Sequence, residues 1–287
     1  MRLLKLAMGF ILLFAYAKSY CQPSSIEVLS WNVFLRPSVM SDGQMNRVDE
    51  IGSYLLSSGA DILVLQEVFH KKARRKLKKQ LKETYPYQTN RGPVSWLGIP
   101  SGVVFFSKMP ILREERISFS FAKGADRLAK KGAIIATIEK NDQRICIVGT
   151  HLQAGAEKAA FNIRNTQINE ISSAVKEVDS NIVLIYAGDF NIRKEGRMFS
   201  LFKEKLNFKT PRLLEESTIK ATANFSDHDL YKGKGKPSWI DFILVRKSPK
   251  VKQKSLWIEE PRGKKKRVNK RLSDHNPIVS IVEYEKK

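Results

Sequence analysis

The sequence has few cysteines and few acidic residues. Two cysteines among 287 residues exclude a disulfide-rich scaffold and a four-cysteine zinc site. Its 29 aspartates and glutamates are outnumbered by 51 lysines and arginines, which gives a formal net charge of +22 at pH 7. This excess favours an anionic partner, which is a nucleic acid, an anionic membrane surface or a phosphorylated substrate. Charge alone does not separate these three partners.

Long apolar runs are also scarce, although 42% of the residues are hydrophobic, a share that rules out wholesale disorder. The run at 6–17 follows a positively charged start and leads into small residues. Because it is too short for a membrane span, it predicts a secretory signal peptide over residues 1–21 and a secreted protein. A lipid anchor on Cys21 stays open as an alternative, although Lys18 stands where a lipobox has an aliphatic residue.

The rest of the chain shows neither an internal repeat nor a linker rich in proline, glycine or serine, so residues 22–287 are predicted to form a single domain. Helical spacing predicts helices at 45–56, 71–84 and 157–178. Apolar and β-branched runs predict strands at 26–33, 62–65, 102–106, 111–121, 133–139, 144–150, 182–187, 239–245 and 278–284. Long helices between apolar strands, together with strands that follow one another directly, predict a mixed α/β protein with two packed sheets.

Polar side chains immediately follow five apolar strands, and a sixth segment, Ile240-Asp241-Phe242, puts an acid inside a strand. A buried lone carboxylate is costly unless it is paired or bound to a cation, so Glu67 and Asp241 require partners. Oxygen ligands without a cysteine cluster suit Mg²⁺ or Mn²⁺. Each segment alone has an ordinary structural explanation, but together they predict a catalytic site. The five are Trp31-Asn32-Val33, Leu65-Gln66-Glu67, Gly149-Thr150-His151-Leu152, Gly188-Asp189-Phe190-Asn191 and Ser273-Asp274-His275-Asn276.

The order of these polar residues resembles the metal-dependent endonuclease/exonuclease/phosphatase superfamily. The resemblance covers nearly all of the predicted domain. It implies an α/β fold of the DNase I-like kind, a four-layer α/β/β/α sandwich of two packed mixed sheets flanked by helices. The site would lie at one end of the two facing sheets. The superfamily cleaves phosphoester bonds, so the order alone allows nucleases, inositol phosphatases and sphingomyelinases. The residues are Asn32, Glu67, His151, Asp189, Asn191, Asp241, Asp274 and His275.

Three stretches resemble, within that superfamily, the secreted bacterial-type neutral sphingomyelinase C. They are residues 32–37, residues 67–69, and the stretch 121–126 with 131–132 that leads into 150–154, which is the most specific. The resemblance implies a secreted, Mg²⁺-dependent enzyme, with Mn²⁺ or Co²⁺ as substitutes. This enzyme would hydrolyse sphingomyelin to ceramide and phosphocholine in peripheral contact with a membrane, and we expect a monomer. A secreted nuclease acting on DNA or RNA is the main alternative, and a different phosphatase or phosphodiesterase, including one acting on other choline or ethanolamine lipids, is a third.

The resemblance and the chemistry of the side chains agree on a metal site and a base. Glu67 is expected to bind Mg²⁺, with Asn32 assisting through its amide oxygen or a water and Asp274 as a further ligand. His275 is expected to take the proton of the attacking water, because the ordinary pKa of histidine is near neutrality. Asp241 would hold the His275 imidazole in the correct tautomer.

The remaining predicted site residues would contact the substrate. Asp189 and Asn191 are expected to orient the water and the phosphate oxygens. His151 is expected to donate a hydrogen bond to the phosphoryl oxygens or to the leaving group. Asp126 and Lys131 lie in a loop that family members place near the lipid or the active site. A role in substrate binding and ordinary loop solvation are both open for this pair.

Two segments depart from the family pattern. Bacterial members can carry an extra metal site just after residues 67–69, but His70, Lys71 and Lys72 stand there in this sequence, which argues against a second ion. Hemolytic members have an aromatic hairpin before the last motif, whereas the segment 246–272 has one tryptophan and a basic run. This segment is either a cationic hairpin that contacts anionic headgroups or a solvated basic loop.

Three further features lie outside these motifs. The basic helix at 71–84 contacts a membrane or nucleic acid, or has a solvated face. His70, which opens that helix, is expected to be exposed. His228 is a further candidate for the wall of the site.

Overall fold

The structure, a computed structural model, describes residues 24–40, 42–96, 98–224, 236–263 and 271–285. Within these ranges the chain forms eleven strands and four α-helices. The helices are α1 (Gln44–Ser57), α2 (Lys71–Leu81), α3 (Lys158–Ala174) and α4 (Arg197–Leu206). The strands are β1 (Ser24–Leu35), β2 (Ile62–Val68), β3 (Tyr87–Gln88), β4 (Val104–Ser107), β5 (Ile111–Ser118), β6 (Gly132–Lys140), β7 (Gln143–His151), β8 (Val183–Asp189), β9 (Asp241–Val245), β10 (Val251–Ile258) and β11 (Ile278–Tyr284).

The strands form two mixed sheets. The first sheet has the order β10-β11-β1-β2-β4-β3, and the second has the order β5-β6-β7-β8-β9. Each sheet contains one parallel pair, β1 with β2 and β7 with β8, whereas the other neighbours are antiparallel. α1 connects β1 to β2 and α3 connects β7 to β8, since parallel neighbours require a long crossover.

The core lies between the two sheets and under the helices. Because side chains alternate along a strand, Val28 and Val64 of the first sheet face the second sheet, whereas their neighbours Leu29 and Leu65 face α1 and α2. Apolar residues of α3 and α4 join the cluster of the second sheet. The layers are therefore helix, sheet, sheet and helix, which confirms the predicted four-layer sandwich.

The two sheets approach closely at Gly149 in β7. A Cβ atom at this position would collide with the ring of Phe105 in β4 and with Val64 in β2. A glycine is required here because the aromatic ring of one sheet occupies the space that a side chain of the other would need. The contact lies two residues before His151 and thus next to the predicted site.

The structure differs from the sequence prediction in two missed elements and in the positions of three site residues. α4 and β10 were not predicted, and a register shift between Gln253 and Ser255 explains why β10 lacks regular alternation. Asp241 begins β9 instead of lying inside it. Asn32 lies within β1 and Glu67 within β2, so neither follows its strand.

The predicted signal peptide lies outside the described residues, so the boundaries 1–21 and 22–287 stay predictions. None of the helices in the described ranges combines the length and the hydropathy that crossing a bilayer requires.

Candidate functional site

The polar residues of the two sheets meet at one edge of the sandwich. In the first sheet, Asn32 of β1 pairs in register with Gln66 of β2, directly before Glu67. In the second sheet, β7, β8 and β9 place His151 beside Asp189 and Asp189 beside Asp241. The register therefore sets three polar side chains of neighbouring strands in one row, opposite the carboxyl ends of β1 and β2.

The last motif reaches this edge from the other direction. The sequence pattern predicts that Asp274 and His275 follow an apolar strand, but the structure places them before β11. Because β11 runs antiparallel to β1 and begins opposite Ser30, the residues before β11 lie beside the last part of β1. The Ser273 hydroxyl donates to the Asn32 carbonyl oxygen at 2.6 Å, and the Trp31 indole N–H donates to the His275 carbonyl oxygen at 2.8 Å. These two bonds fasten the motif to β1.

His275 and Asp241 form a buried pair. The His275 Nδ1 atom lies 2.8 Å from Oδ2 of Asp241, so the carboxylate accepts the Nδ1 proton and leaves Nε2 for chemistry. The Thr222 hydroxyl oxygen accepts from the backbone N–H groups of Ile240 and Asp241 at 3.0 and 2.9 Å. Thr222 thus positions Asp241. The sequence held no signal for this role, because Thr222 lies in an irregular segment 19 residues before Asp241.

The carboxylates around His275 decide its protonation. Burial alone would lower the pKa of this histidine, but the charges of Asp241 and Asp189 raise the pKa well above its ordinary value. Nε2 of His275 lies 3.7 Å from Oδ2 of Asp189. Burial and the Asp241 charge in turn raise the pKa of Asp189 to about 6. The edge is therefore rich in negative charge.

His151 lies on the other side of Asp189 and has the opposite character. Its Nε2 atom is 3.4 Å from Oδ2 of Asp189. Burial, followed by the charges of Lys131 and His275, holds the pKa of His151 well below its ordinary value. Its buried Nδ1 atom has no hydrogen-bond partner among the described residues. His151 is therefore a neutral imidazole that can donate one hydrogen bond.

Asn191 is held beside Asp189 by local backbone geometry. Its backbone N–H donates to Oδ1 of Asp189 at 3.0 Å, and its side-chain amide donates to the Leu152 carbonyl oxygen at 3.1 Å. The φ of Asn191 is +51°, a left-handed conformation that asparagine tolerates better than most residues. The turn after β8 therefore aims Asp189 and Asn191 into the same space.

Glu67, Asn32 and Asp274 supply the oxygen-rich side of the site. The Asn32 side-chain amide donates to Oε1 of Glu67 at 3.1 Å and to Oδ2 of Asp189 at 3.2 Å. Its own oxygen accepts from the Phe34 N–H at 3.1 Å. In this rotamer the amide nitrogen of Asn32 therefore faces the carboxylates, and its oxygen is turned away from a cation that they would hold. Ligation by the Asn32 oxygen requires the amide to rotate.

The charge balance of this side fits a hard cation. Burial raises the pKa of Glu67, although the Asn32 hydrogen bond and the Lys131 charge oppose that shift. Burial also raises the pKa of Asp274 to about 6, and Glu67 adds to the shift while His275 opposes it. Neighbouring carboxylates that resist ionisation are stabilised by a divalent cation, and their oxygen atoms suit Mg²⁺.

A second group of potential ligands lies nearby but is better explained by the histidine pair. Ligand atoms of Asp189, Asp241 and His275 all lie within 4.8 Å of one another, among the described residues. A cation held there would bind Nε2 of His275, the ring nitrogen that the 2.8 Å bond to Asp241 leaves for chemistry. The Glu67 side is therefore the better candidate for the cation.

Asp126 and Lys131 tie their loop to the strand that carries His151. Lys131 is buried, and its Nζ atom lies 3.2 Å from Asp126 and donates to the Leu152 carbonyl oxygen at 3.1 Å. Oδ2 of Asp126 accepts from the Ala154 N–H at 2.8 Å and from the Gln153 amide at 2.9 Å. The structure thus ties the pair to the strand that carries His151 and buries Lys131, whereas Asp126 stays partly exposed.

Three other predicted features are not part of this cluster. His70 is buried and not exposed as predicted, because its Nδ1 atom accepts from the Ala73 N–H at 3.1 Å and caps α2. Trp257 lies in β10, where its indole N–H donates to Glu259 at 2.7 Å, so this part of the segment 246–272 belongs to the sheet. The basic run 264–267 and His228 lie outside the described residues.

Comparison with known proteins identifies the family of the chain. A profile described as the Endonuclease/Exonuclease/phosphatase family matches residues 29–275. A sphingomyelinase C of Leptospira interrogans is 30% identical, and the alignment covers 93% of this chain and 53% of that protein. A sphingomyelinase C of Bacillus cereus is also 30% identical, with 79% of this chain and 76% of that protein covered. The chain spans about half the length of the first curated relatives that it matches.

A solved structure has the same fold as this chain. The crystal structure of a double mutant of beta toxin from Staphylococcus aureus, with bound magnesium ions, has a TM-score of 0.78 at 26% identity and covers 92% of this chain and 100% of its own. The chain therefore belongs to the endonuclease/exonuclease/phosphatase family, and within that family it is similar to bacterial sphingomyelinases C over nearly its whole length.

Proposed function

We propose that this chain is a secreted, Mg²⁺-dependent phosphodiesterase that hydrolyses sphingomyelin to ceramide and phosphocholine at a membrane surface. The observation that carries the proposal is the convergence of the His275–Asp241 pair, His151, Asp189 and Glu67 at one edge of the sandwich. The similarity to sphingomyelinases C supports the choice of sphingomyelin as the substrate.

The two histidines would divide the work of the reaction. His275 accepts the proton of the attacking water at Nε2, because Asp241 keeps the other ring nitrogen protonated and fixes the ring. Asp189 lies within 4 Å of both imidazoles and orients the water between them. His151 is neutral, so it stabilises the phosphoryl oxygens or the leaving group by donating a hydrogen bond.

Glu67 and Asp274 would hold the cation, and Asn32 would position Glu67. When bound, Mg²⁺ supplies positive charge that offsets the charge developing on the phosphodiester and on the leaving oxygen. Positive charge at Glu67 and Asp274 would also lower the pKa of His275 towards neutrality, the range in which this histidine can act as a base.

Purified protein should be incubated with Mg²⁺ and sphingomyelin liposomes, and separately with plasmid DNA. We expect release of phosphocholine without nicking of DNA. Nicking without phosphocholine release would identify the chain as a nuclease instead.

Substitutions test the site in the same assay. We expect His275→Ala and Glu67→Gln each to lower the rate by ~10²–10⁴-fold. Glu139→Gln changes an exposed glutamate on β6 in the same way and should leave the rate unchanged. Full activity in both site variants would show that the site is elsewhere.

A further inference from the structure

α2 carries a stripe of cations that the reaction does not use. Lys71, Arg74, Arg75 and Lys78 follow the spacing i, i+3, i+4, i+7 and so lie on one face of the helix. The opposite face buries Ala73, Leu77 and Leu81 in the core. The stripe is therefore a surface that the fold of α2 presents outward.

This stripe forms one wall of a groove of about 630 Å³. Arg91, from the loop after β3, faces the stripe from the other wall, and Phe69 contributes to the apolar lining. Among the described residues, no carboxylate lines the groove, and none of the five cations has an ion-pair partner there. Lys76, which lies outside the groove, instead pairs with Asp49 at 2.8 Å.

The electrostatics of Arg74 show the same imbalance. Burial, and then the charges of Arg91 and Arg75, lower the pKa of Arg74. Like charges that converge without a counter-charge are costly, and an anion that enters between them removes the cost. A phosphate is the fitting ligand, since guanidinium groups bind phosphate oxygens in a bidentate manner.

The loop between the groove and the active site favours a lipid as the source of that phosphate. Within this loop the backbone at Val94 pairs with Pro100. Arg91 and Pro100 line the basic groove. Trp96 lines a second groove, which Lys131 also lines. Trp96 is 89% exposed. An indole beside cations is typical of a surface that lies at the headgroup level of a bilayer.

We propose that this groove binds the phosphate headgroup of an anionic phospholipid and so holds the protein on bilayers that contain one. The choice of a lipid over a nucleic acid rests on the proposed function. The groove also lies close to the active site, because Phe69 follows Glu67 by two residues.

The test is sedimentation with sphingomyelin–phosphatidylcholine vesicles, with and without phosphatidylserine at about one fifth of the lipid, in EDTA so that no hydrolysis occurs. We expect the wild-type protein to bind the anionic vesicles more tightly. Each arginine or lysine near an anionic surface strengthens binding to the membrane by about fivefold. Arg74→Gln with Arg91→Gln should therefore weaken this binding by about tenfold or more.

A matched control is available on the same helix. Lys72→Gln with Lys79→Gln removes two exposed charges that do not line the groove. At physiological ionic strength charges beyond about 8 Å from the lipid are screened, so this pair should change binding by less than about threefold. If the groove pair does not fold, judged by its Tm, Arg75→Gln with Lys78→Gln tests the same groove.

Three outcomes would overturn the proposal: equal effects of the groove pair and the control pair, equal binding of neutral and anionic vesicles, or a groove pair that loses binding to a single-stranded oligonucleotide and not to vesicles. The last outcome would assign the groove to nucleic acid. Phosphocholine release from vesicles without anionic lipid is measured in parallel for the wild-type protein. If the proposed function is wrong, only the phosphocholine-release assay fails. If the groove does not bind anionic lipid, only the sedimentation assay fails.

Discussion

His151 and His275 share one carboxylate neighbour, yet their surroundings drive their pKa values in opposite directions. Asp189 lies 3.4 Å from Nε2 of His151 and 3.7 Å from Nε2 of His275. Burial lowers the pKa of His151, whereas Asp241 and Asp189 outweigh burial at His275 and raise its pKa. The presence of a second carboxylate, Asp241, thus makes His275 the more basic of the two imidazoles.

Replacement of Asp241 by asparagine should test this division. The substitution keeps the shape but offers His275 an amide, which no longer fixes the tautomer with Nδ1 protonated. We expect kcat to fall by ~10²–10⁴-fold in the phosphocholine-release assay. Asp142→Asn, an exposed residue in the turn between β6 and β7, is the control and should leave kcat unchanged. An Asp241→Asn protein with wild-type kcat would contradict the proposed pair.

Cys146 provides a prediction on pH. Burial raises the pKa of this thiol to about 11, and the residue is 2% exposed. A raised thiol pKa keeps the unreactive protonated form dominant below that value, so the thiolate forms only as the pH approaches about 11. In a Cys21→Ser variant we expect no alkylation by iodoacetamide at pH 8, and full alkylation in urea. Labelling of the folded protein at pH 8 would show that β7 opens.

The site residues stay predictions, but each of them was identified from the sequence because it stands beside an apolar run, and the structure brings these residues to one edge. Their support could not be predicted. Thr222 holds Asp241 through two backbone N–H groups, and nothing in its own segment indicates that contact. His70 was expected on the surface because it precedes a basic helix, but its ring accepts a hydrogen bond that caps that helix.

Among the elements, the packing of β7 on β4 depends on a single small residue. Gly149 leaves room for the Phe105 ring of the facing sheet. Gly149→Ala should lower the free energy of unfolding by about 1–3 kcal/mol, because the added methyl overpacks the core. Thermal and urea unfolding would measure this loss.

The double variant Gly149→Ala with Phe105→Leu provides the check on that prediction. The smaller side chain makes room for the methyl group, so the double variant should lose less stability than the sum of the two single losses. Strictly additive losses would show that the two residues do not compete for the same space.

Helices and strands could be predicted where the apolar period is regular, and they were missed where it is not. β10 was missed because its bulge interrupts the alternation and lysines occupy its outer face. α4 has apolar residues at helical spacing, which the sequence shows at Met198, Phe199, Phe202 and Leu206. The position of His275 before β11 required knowledge of the antiparallel pairing with β1, which is tertiary information.

For the whole molecule, the candidate cation site predicts that stability depends on Mg²⁺. Residues 32, 67 and 274 come together only in the folded chain, so an ion that binds there stabilises that state. At a concentration of about 100 times the Kd the gain is about 2.7 kcal/mol, which raises Tm by several degrees. Differential scanning calorimetry with Mg²⁺ and with EDTA measures the shift.

Glu67→Gln should abolish this shift, whereas Glu139→Gln should preserve it. A Glu67→Gln protein that still gains stability from Mg²⁺ would place the ion at another set of ligands, for which Asp189 and Asp241 are the described alternatives.

The His275–Asp241 hydrogen bond has a mechanical consequence. Its two partners belong to different layers, since β9 carries the carboxylate and the segment before β11 carries the imidazole. Sliding one layer over the other by about 1 Å would pull them apart and cost ~10²-fold in turnover. Such a slip leaves every strand intact, so circular dichroism would not register it. Turnover is therefore more sensitive than circular dichroism to the relative position of the two sheets. As denaturant is added, kcat should fall at a lower concentration than the circular dichroism signal does.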